Sequence, residues 1–269
     1  MKIAITGKGG VGKTTLAAVL AKLYAAEGYR VMAVDADPDA NLAAALGFPE
    51  DKQRKIVPLS EMRELITERT GAQPGLVGQM FTLNPKVEDI PERFCAEHEG
   101  VRLLVMGGIK KGGSGCACPE HTFLRAIMRH LLLDSKDVLI VDMEAGIEHL
   151  GRATADCVDA FIVIVEPSLK SINTYYSIRK LAAEIGVNKV LVVGNKVKDR
   201  DDENFIKNNV EAEKLLGILS YDVTVEKADR EGISPFYASK QTRESIAVIK
   251  NKISQLCIAN YSLMPKASF

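Results

Sequence analysis

One stretch near the N-terminus, Gly7-Lys8-Gly9-Gly10-Val11-Gly12-Lys13-Thr14, decides the fold. It fits the pattern G-x-x-x-x-G-K-[ST], whose glycines let the backbone curl until successive N–H groups converge on phosphate oxygens. The apolar run Lys2–Thr6 precedes it, and the helical pattern Lys13–Glu27 follows it. Because a phosphate-binding loop joins a strand to the N-terminus of a helix, this context supports the motif.

The residue types in this loop predict a nucleotide with magnesium. Lys13 is expected to reach the β- and γ-phosphates, the Thr14 hydroxyl to ligate Mg²⁺, and Thr15 to donate toward an inner phosphate. The backbone that cradles the phosphates is provided by Gly9, Gly10, Val11 and Gly12. We therefore expect ATP, ADP and Mg²⁺ as ligands of an ATP-hydrolysing enzyme.

Outside the phosphate loop, apolar runs alternate with helical patterns along most of the chain. The predicted later strands are Arg30–Val34, Val101–Met106, Val138–Val141, Ala160–Val165 and Val190–Val193. The predicted later helices are Glu120–Leu132, Ser171–Ile185, Asn204–Leu215 and a helix that begins near Arg243. Continuous Val/Ile/Leu runs indicate strands that are covered on both faces. The pattern predicts an α/β fold, a mostly parallel sheet flanked by helices on both faces, typical of a P-loop NTPase.

We expect residues 1–269 to form a single domain with an irregular insertion at about residues 48–100. No linker, internal repeat or low-complexity tract interrupts the chain. The insertion is marked by scattered proline and glycine, and one helix, Leu59–Thr70, is predicted inside it.

Polar side chains at strand ends extend the predicted nucleotide site. Asp35, Asp37 and Asp39 follow the second strand, and Asp142 ends the run Val138–Val141 in the way that a Walker B aspartate helps to hold Mg²⁺. Asn195 follows the Val190–Val193 strand and could read a purine base. Position 198 is Lys198 rather than the aspartate that guanine recognition would favour, so adenine is predicted.

The paired thiols Cys116 and Cys118 form a second candidate site, in a glycine-rich segment between a strand and a helix. One chain supplies two sulfur ligands, whereas a closed tetrahedral site needs four, and a two-fold dimer would complete the set. Thiolates suit zinc, copper(I), an iron–sulfur cluster or square-planar nickel. Two ordinary loop cysteines remain an alternative, and His121 is either an auxiliary ligand or a residue of the first helical turn.

Composition excludes several classes of function. The formal net charge is +0, which gives no broad basic surface for nucleic acid. No run approaches the roughly 18 apolar residues that span a bilayer, and the N-terminal segment does not resemble a signal peptide. The odd count of 5 cysteines argues against a disulfide framework. We therefore expect a cytoplasmic protein with no stable membrane anchor.

Lys8 makes the loop similar to that of a particular class. The run Lys8–Thr15 resembles the deviant phosphate loop of the nitrogenase iron protein, Min-system and arsenite-ATPase class. The resemblance implies an ATP-sandwiched homodimer, in which Lys8 reaches the partner's nucleotide and neutralises charge in the transition state. It also implies that Asp37 activates water and that Gly146 offers its N–H near the γ-phosphate.

The segment from Val105 to Glu120 narrows the resemblance to the CooC-type accessory ATPases of carbon monoxide dehydrogenase and acetyl-CoA synthase. This resemblance implies that Cys116 and Cys118 bind nickel, with zinc as another possible metal. It also implies a homodimer that depends on nucleotide or metal, with the apo form of one of those enzymes as client. Two alternatives share the nucleotide site: a membrane-cycling positioning ATPase of the Min type and an iron–sulfur reductase.

Overall fold

The computed structural model describes residues 1–76, 78–107, 118–134, 138–144, 158–187 and 189–258. The strands are β1 (Lys2–Gly7), β2 (Val31–Ala36), β3 (Ala96–His98), β4 (Val101–Val105), β5 (Val138–Met143), β6 (Ala160–Val165), β7 (Val190–Val197) and β8 (Leu215–Ser220). The helices are α1 (Lys13–Ala26), α2 (Leu42–Ala45), α3 (Glu50–Gln53), α4 (Arg63–Thr70), α5 (Ile90–Phe94), α6 (Pro119–Asp134), α7 (Leu169–Glu184), α8 (Arg200–Asn209), α9 (Val223–Glu231), α10 (Pro235–Ala238) and α11 (Lys240–Ile258).

The strands form one sheet with the order β3-β4-β2-β5-β1-β6-β7-β8. Neighbouring strands are parallel, except that β3 pairs with β4 in the antiparallel direction. The strand that leads into the phosphate loop, β1, lies between β5 and β6 near the centre. The predicted fold, a mostly parallel sheet in an α/β protein, is confirmed.

Side chains of each central strand alternate between two apolar cores, one on each face of the sheet. In β1, Ile3 and Ile5 point into the core that contains α1 and α11, whereas Ala4 points into the core that contains α6 and α7. In β6, Ile162 and Ile164 share the first core, and Phe161, Val163 and Val165 share the second. Burial on both faces explains why these strands read as continuous apolar runs.

The prediction of a helix over Asn204–Leu215 is wrong. The helix in this region is α8, which begins at Arg200 because the Asp199 side chain accepts a hydrogen bond from the backbone N–H of Asp202 at 2.9 Å. Leu215 instead begins β8, which the sequence analysis missed. Gly217 lies in the middle of β8, where an added Cβ would come 2.9 Å from Ile249 Cγ1 of α11. The glycine that weakens the strand pattern therefore permits close packing of α11.

The insertion is more divided than predicted. Leu59–Thr70 is not one helix, because a 3₁₀ turn at Leu59–Glu61 is separated from α4 by Met62, which has a non-helical ψ of 69°. The N–H of Ser60 donates to the carbonyl of Met106 at 3.0 Å, which ties the 3₁₀ turn to the end of β4. The division of the chain into one domain over residues 1–269 with an insertion at about 48–100 stays a prediction.

Among the described helices, none is both long and apolar enough to cross a bilayer. The apolar stripe of α11 faces the protein, since Ile246, Ile249 and Ile253 are buried. Leu256, which continues the stripe, is 45% exposed. The three isoleucines thus serve as core residues.

Candidate functional site

The phosphate loop runs from the end of β1 into α1, as predicted. Gly10 and Gly12 have φ angles of 77° and 100°, a region that favours glycine. An added Cβ on Gly12 would lie 2.4 Å from Nδ2 of Asn195, so this position also needs a residue without a side chain. Val11 is buried and anchors the loop in the apolar core. The backbone positions Gly9–Gly12 are therefore held in a conformation that the glycines make possible.

Lys13 and Asp37 meet at the start of α1. The Lys13 Nζ lies 3.8 Å from Asp37 Oδ2, and the side chains are only 7% and 19% exposed. Lys13 comes from the phosphate loop and Asp37 from the segment after β2, so the sheet brings together two residues that were predicted to act on the same phosphate.

Thr14 and Asp142 form an oxygen-rich pair beside Lys13. The Thr14 hydroxyl donates to Asp142 Oδ2 at 2.6 Å. The other carboxylate oxygen, Asp142 Oδ1, is buried and has no hydrogen-bond partner in the described part of the chain. A hydroxyl and an unpaired carboxylate oxygen are ligands that Mg²⁺ prefers. The pair therefore fits the predicted magnesium role of Thr14 and Asp142.

Asp35 supports the segment that carries Asp37. Its side chain is fully buried. Asp35 Oδ1 accepts from the N–H of Asp37 at 3.2 Å, and Oδ2 accepts from the N–H of Leu42 at 2.9 Å. Two backbone donors thus fix both ends of the Asp37 segment on one carboxylate, so Asp35 supports the segment.

Burial disfavours the charged forms of these acids. It raises the pKa of Asp142 to about 7 and that of Asp35 to about 6, against opposing hydrogen bonds that lower both. Asp35 and Asp142 are cross-strand partners in β2 and β5, so their charges also repel each other. A cation bound beside Asp142 would offset both the cost of burying its charge and the repulsion between the two carboxylates.

Asp142→Asn is expected to stabilise the ligand-free protein at alkaline pH. The folded protein binds a proton at Asp142 more tightly than the unfolded chain does. The resulting stability is fully present below about pH 4 and is lost as the pH rises through about 7. The loss is at most about 4 kcal/mol, at roughly 1.4 kcal/mol per pKa unit. The free energy of unfolding in urea, with divalent metal chelated, should rise by about 1–3 kcal/mol at pH 8 and by much less at pH 5.

The matched control is Asp201→Asn, which changes an exposed carboxylate in the first turn of α8. It should show no comparable gain between pH 5 and pH 8. A loss of stability at pH 8 in Asp142→Asn would mean that the buried charge is satisfied without a cation.

Asn195 holds the phosphate loop from β7. Its Nδ2 donates to the carbonyl of Val11 at 2.7 Å, and the neighbouring Lys196 donates from Nζ to the carbonyl of Gly10 at 2.6 Å. Lys196 has a positive φ of 59°, uncommon for a residue with a side chain. Since the amide nitrogen of Asn195 binds the loop, its oxygen is the atom that can accept from an exocyclic amine, as adenine recognition requires.

A cavity of ≈ 710 Å³ opens beside these residues, a size typical of small-molecule sites. The phosphate loop, Asp37 and Asn195 line one side. The other side was missed by the sequence analysis and comes from the residues after β8: Tyr221, Asp222, Val225, Glu226 and Ile233. Recognition of β8 would have revealed this wall, because ligands of parallel sheets bind at the carboxyl ends of strands.

Lys8 lies apart from the Lys13 group. Its Nζ donates to Glu166 Oε1 at 3.2 Å, and the Lys8 side chain is 40% exposed. Glu166 follows β6 directly. The structure thus gives the two loop lysines different surroundings: Lys13 is buried beside Asp37, and Lys8 is at the surface beside Glu166.

The thiol site is described only at its C-terminal side. The carbonyl of Cys118 accepts from the N–H of Thr122 at 3.0 Å, and α6 begins at the next residue. His121 lies in the first turn of α6. Cys116 and Gly146 lie outside the described residues. Within the described ranges, no group of three or more His, Cys, Asp or Glu side chains is arranged to hold a metal ion. The roles of Cys116, Cys118 and Gly146 stay predictions.

Comparison with known proteins agrees with the fold and the loop. Residues 2–236 match the CobQ/CobB/MinD/ParA nucleotide binding domain. The chain is 45% identical over 244 residues to the carbon monoxide dehydrogenase accessory protein CooC of Rhodospirillum rubrum, covering 91% of this chain and 92% of that protein. It is 43% identical over 259 residues to an uncharacterised ATP-binding protein of Methanocaldococcus jannaschii, covering 95% and 98% of the two chains.

Among solved structures, the chain superposes on one from the MinC:MinD cell division protein complex of Aquifex aeolicus with a TM-score of 0.65 at 18% identity, covering 100% of both chains. This likeness shows the fold. The family match over residues 2–236 shows that the chain belongs to the CobQ/CobB/MinD/ParA nucleotide-binding family, and together with the ATP-binding relatives it shows that the chain is an ATPase.

Proposed function

We propose that the protein is an ATP-hydrolysing metallochaperone. It binds nickel through Cys116 and Cys118 at a homodimer interface and supports nickel insertion into carbon monoxide dehydrogenase or acetyl-CoA synthase in the cytoplasm. The similarity to CooC over most of both chains supports an accessory role of this kind. The paired cysteines, which the phosphate site does not need, support a metal as the cargo.

The observation that carries the proposal is the position of Asp35. Its side chain holds the Asp37 segment, and its backbone carbonyl accepts from the N–H of Met106 at 2.8 Å. Met106 directly follows β4 and leads toward the thiols. Asp35 therefore contacts both the Asp37 segment, which is proposed to act at the γ-phosphate, and the end of β4, which leads to the proposed metal ligands.

The start of the thiol segment is tightly packed. Gly107 has a φ of 73°, and an added Cβ there would lie 2.3 Å from Ser60 Oγ and 2.8 Å from Pro58 Cβ. Because Gly107 lies against Ser60 and Pro58, we propose that a shift of β4 against β2 is passed on to the segment that carries the cysteines. This coupling would let the nucleotide state change the spacing of the thiols.

At the thiol site, the helix α6 favours the charged form of Cys118. Cys118 precedes the first residue of a helix of 16 residues, where the positive end of the helix dipole stabilises a thiolate. A thiolate is the form that binds nickel or zinc. Cys116 and Cys118 from each of two subunits would give four sulfur ligands.

In the nucleotide site, each residue has a separate task. Lys13 binds the β- and γ-phosphates, Thr14 and Asp142 hold Mg²⁺, and Thr15 and the backbone of Gly9–Gly12 cradle the phosphates. Bound Mg²⁺ neutralises phosphate charge.

Asp37 orients the attacking water and accepts its proton, Gly146 donates its N–H near the γ-phosphate, and Asn195 binds adenine. Lys8 crosses to the partner's nucleotide and stabilises the negative charge that develops in the transition state.

Nickel binding tests the proposed cargo. The Cys116→Ser/Cys118→Ser protein is expected to lose stoichiometric nickel binding, since an alcohol does not replace a thiolate ligand. In the intact protein, equilibrium dialysis with and without ATP should give two different nickel affinities. Zinc competition in the same experiment identifies the preferred metal.

Cys95→Ser is the matched control, because Cys95 lies in the insertion and the proposal assigns it no ligand role. It should bind nickel as the intact protein does. Equal stoichiometric binding by the intact protein and the double variant would exclude the two cysteines as the metal site.

A further inference from the structure

Lys8 and Glu166 meet because their strands are neighbours. Gly7 of β1 pairs with Ile164 of β6, and an added Cβ on Gly7 would lie 2.6 Å from the carbonyl oxygen of Ile164. The two backbones are therefore in close contact where the strands end. The residues that follow them, Lys8 and Glu166, form an ion pair at 3.2 Å although they are 158 positions apart in the sequence.

The first turn of α7 fixes the Glu166 carboxylate. The Glu166 N–H donates to Ser171 Oγ at 3.0 Å, and the Ser168 hydroxyl donates to Glu166 Oε1 at 3.3 Å. Ser171 is buried, and Ser168 caps the helix by accepting from the N–H of Ser171. The first turn of α7 itself contains no acidic residue, so Glu166, two residues before the cap, is the carboxylate next to the positive end of this helix. The Glu166 carboxylate is thus held in place to accept from the Lys8 ammonium.

One ammonium group cannot serve two distant anions at once. If Lys8 acts on the nucleotide of a partner subunit, it has to leave Glu166 first. We propose that Glu166 is a positioning residue for Lys8: it holds the ammonium on its own subunit and releases it when a partner presents bound ATP. This inference rests on the proposed action of Lys8 across the dimer.

The exposure of the pair suits such an exchange. The Lys8 and Glu166 side chains are 40% and 24% exposed, so water screens part of their attraction. Pairs of this kind shift an equilibrium by about two- to five-fold. A phosphate group carries more charge than a carboxylate and displaces it from the lysine. Glu166 therefore raises the protein concentration that dimerisation requires without preventing it.

The test is the concentration dependence of dimerisation with Mg²⁺ and a non-hydrolysable ATP analogue. Because a symmetric dimer must release two such pairs, the protein concentration that gives half-maximal dimer by mass photometry should fall by about four- to 25-fold in Glu166→Gln. In the Lys8→Ala background, the same substitution should have no effect. This double-mutant comparison separates an action through Lys8 from a general change in the fold.

Glu203→Gln is the control, since Glu203 pairs with Lys207 on the surface of α8 and should leave dimerisation unchanged. The proposal is overturned if Glu166→Gln does not strengthen the dimer, or if its effect is as large without Lys8. Those outcomes leave the action of Lys8 across the dimer intact. Normal turnover in Lys8→Ala alone would instead refute the proposed function of Lys8, and the role of Glu166 with it.

Discussion

Lys8→Ala is expected to lower ATP turnover by roughly 10³-fold, the lower range for loss of a cation that stabilises phosphoryl transfer from a partner. ATP binding should be nearly unchanged, because Lys8 pairs with Glu166 whereas Lys13 lies in the buried group with Asp37. Equilibrium binding of a fluorescent ATP analogue and steady-state phosphate release measure the two quantities. Lys13→Ala is the matched control and should lose binding as well.

Mixed dimers give a sharper test of the trans action. In a dimer of one Lys8→Ala subunit and one Asp37→Asn subunit, one of the two sites has both an intact Asp37 and an intact Lys8 from its partner. If equal amounts are mixed before ATP is added, half of the dimers are mixed, and about one quarter of the bound ATP should be hydrolysed in a single burst. Absence of the burst would show that Lys8 acts on the nucleotide of its own subunit.

Asp37→Asn is expected to trap the ATP-bound dimer. Loss of the carboxylate should slow hydrolysis by roughly 10²- to 10⁴-fold, the range for loss of a general base. Asp37 Oδ1 accepts from the N–H of Asp39 at 3.0 Å, a bond that an asparagine oxygen can keep. The segment should therefore hold its shape while losing the group that accepts a proton from water. Light scattering with Mg²⁺ and ATP should show a lasting dimer.

Asp39→Asn is the comparison for this substitution, because Asp39 is an exposed carboxylate two residues further along the same segment. Its effect on turnover should be much smaller. Turnover at the normal rate in Asp37→Asn would show that another group orients the water.

The phosphate loop could be predicted because glycine spacing encodes its backbone directly. The φ angles of Gly10 and Gly12 are ones that few other residues adopt, so the sequence pattern and the structure carry the same information. The parallel sheet could be predicted for a related reason. Burial on both faces leaves continuous apolar runs such as Ala160–Val165, which are visible in a single sequence.

The far wall of the cavity could not be predicted in this way. It depends on β8, in which Gly217 interrupts the apolar run so that α11 can pack closely. The partner of Lys8 was equally hidden, since Glu166 meets it only through the pairing of β1 with β6. Local patterns report local geometry, and contacts between distant segments require the register of the sheet.

The central position of β1 has a consequence for biosynthesis. The strand leaves the ribosome long before its two neighbours, β5 and β6, which begin at Val138 and Ala160. Until those segments have been translated, the backbone of β1 has no sheet partner and the loop after it has no rigid support. Nascent chains that end before Val138 should therefore be unable to retain ATP. The motif at Gly7–Thr14 is therefore made well before the strands on which its function depends.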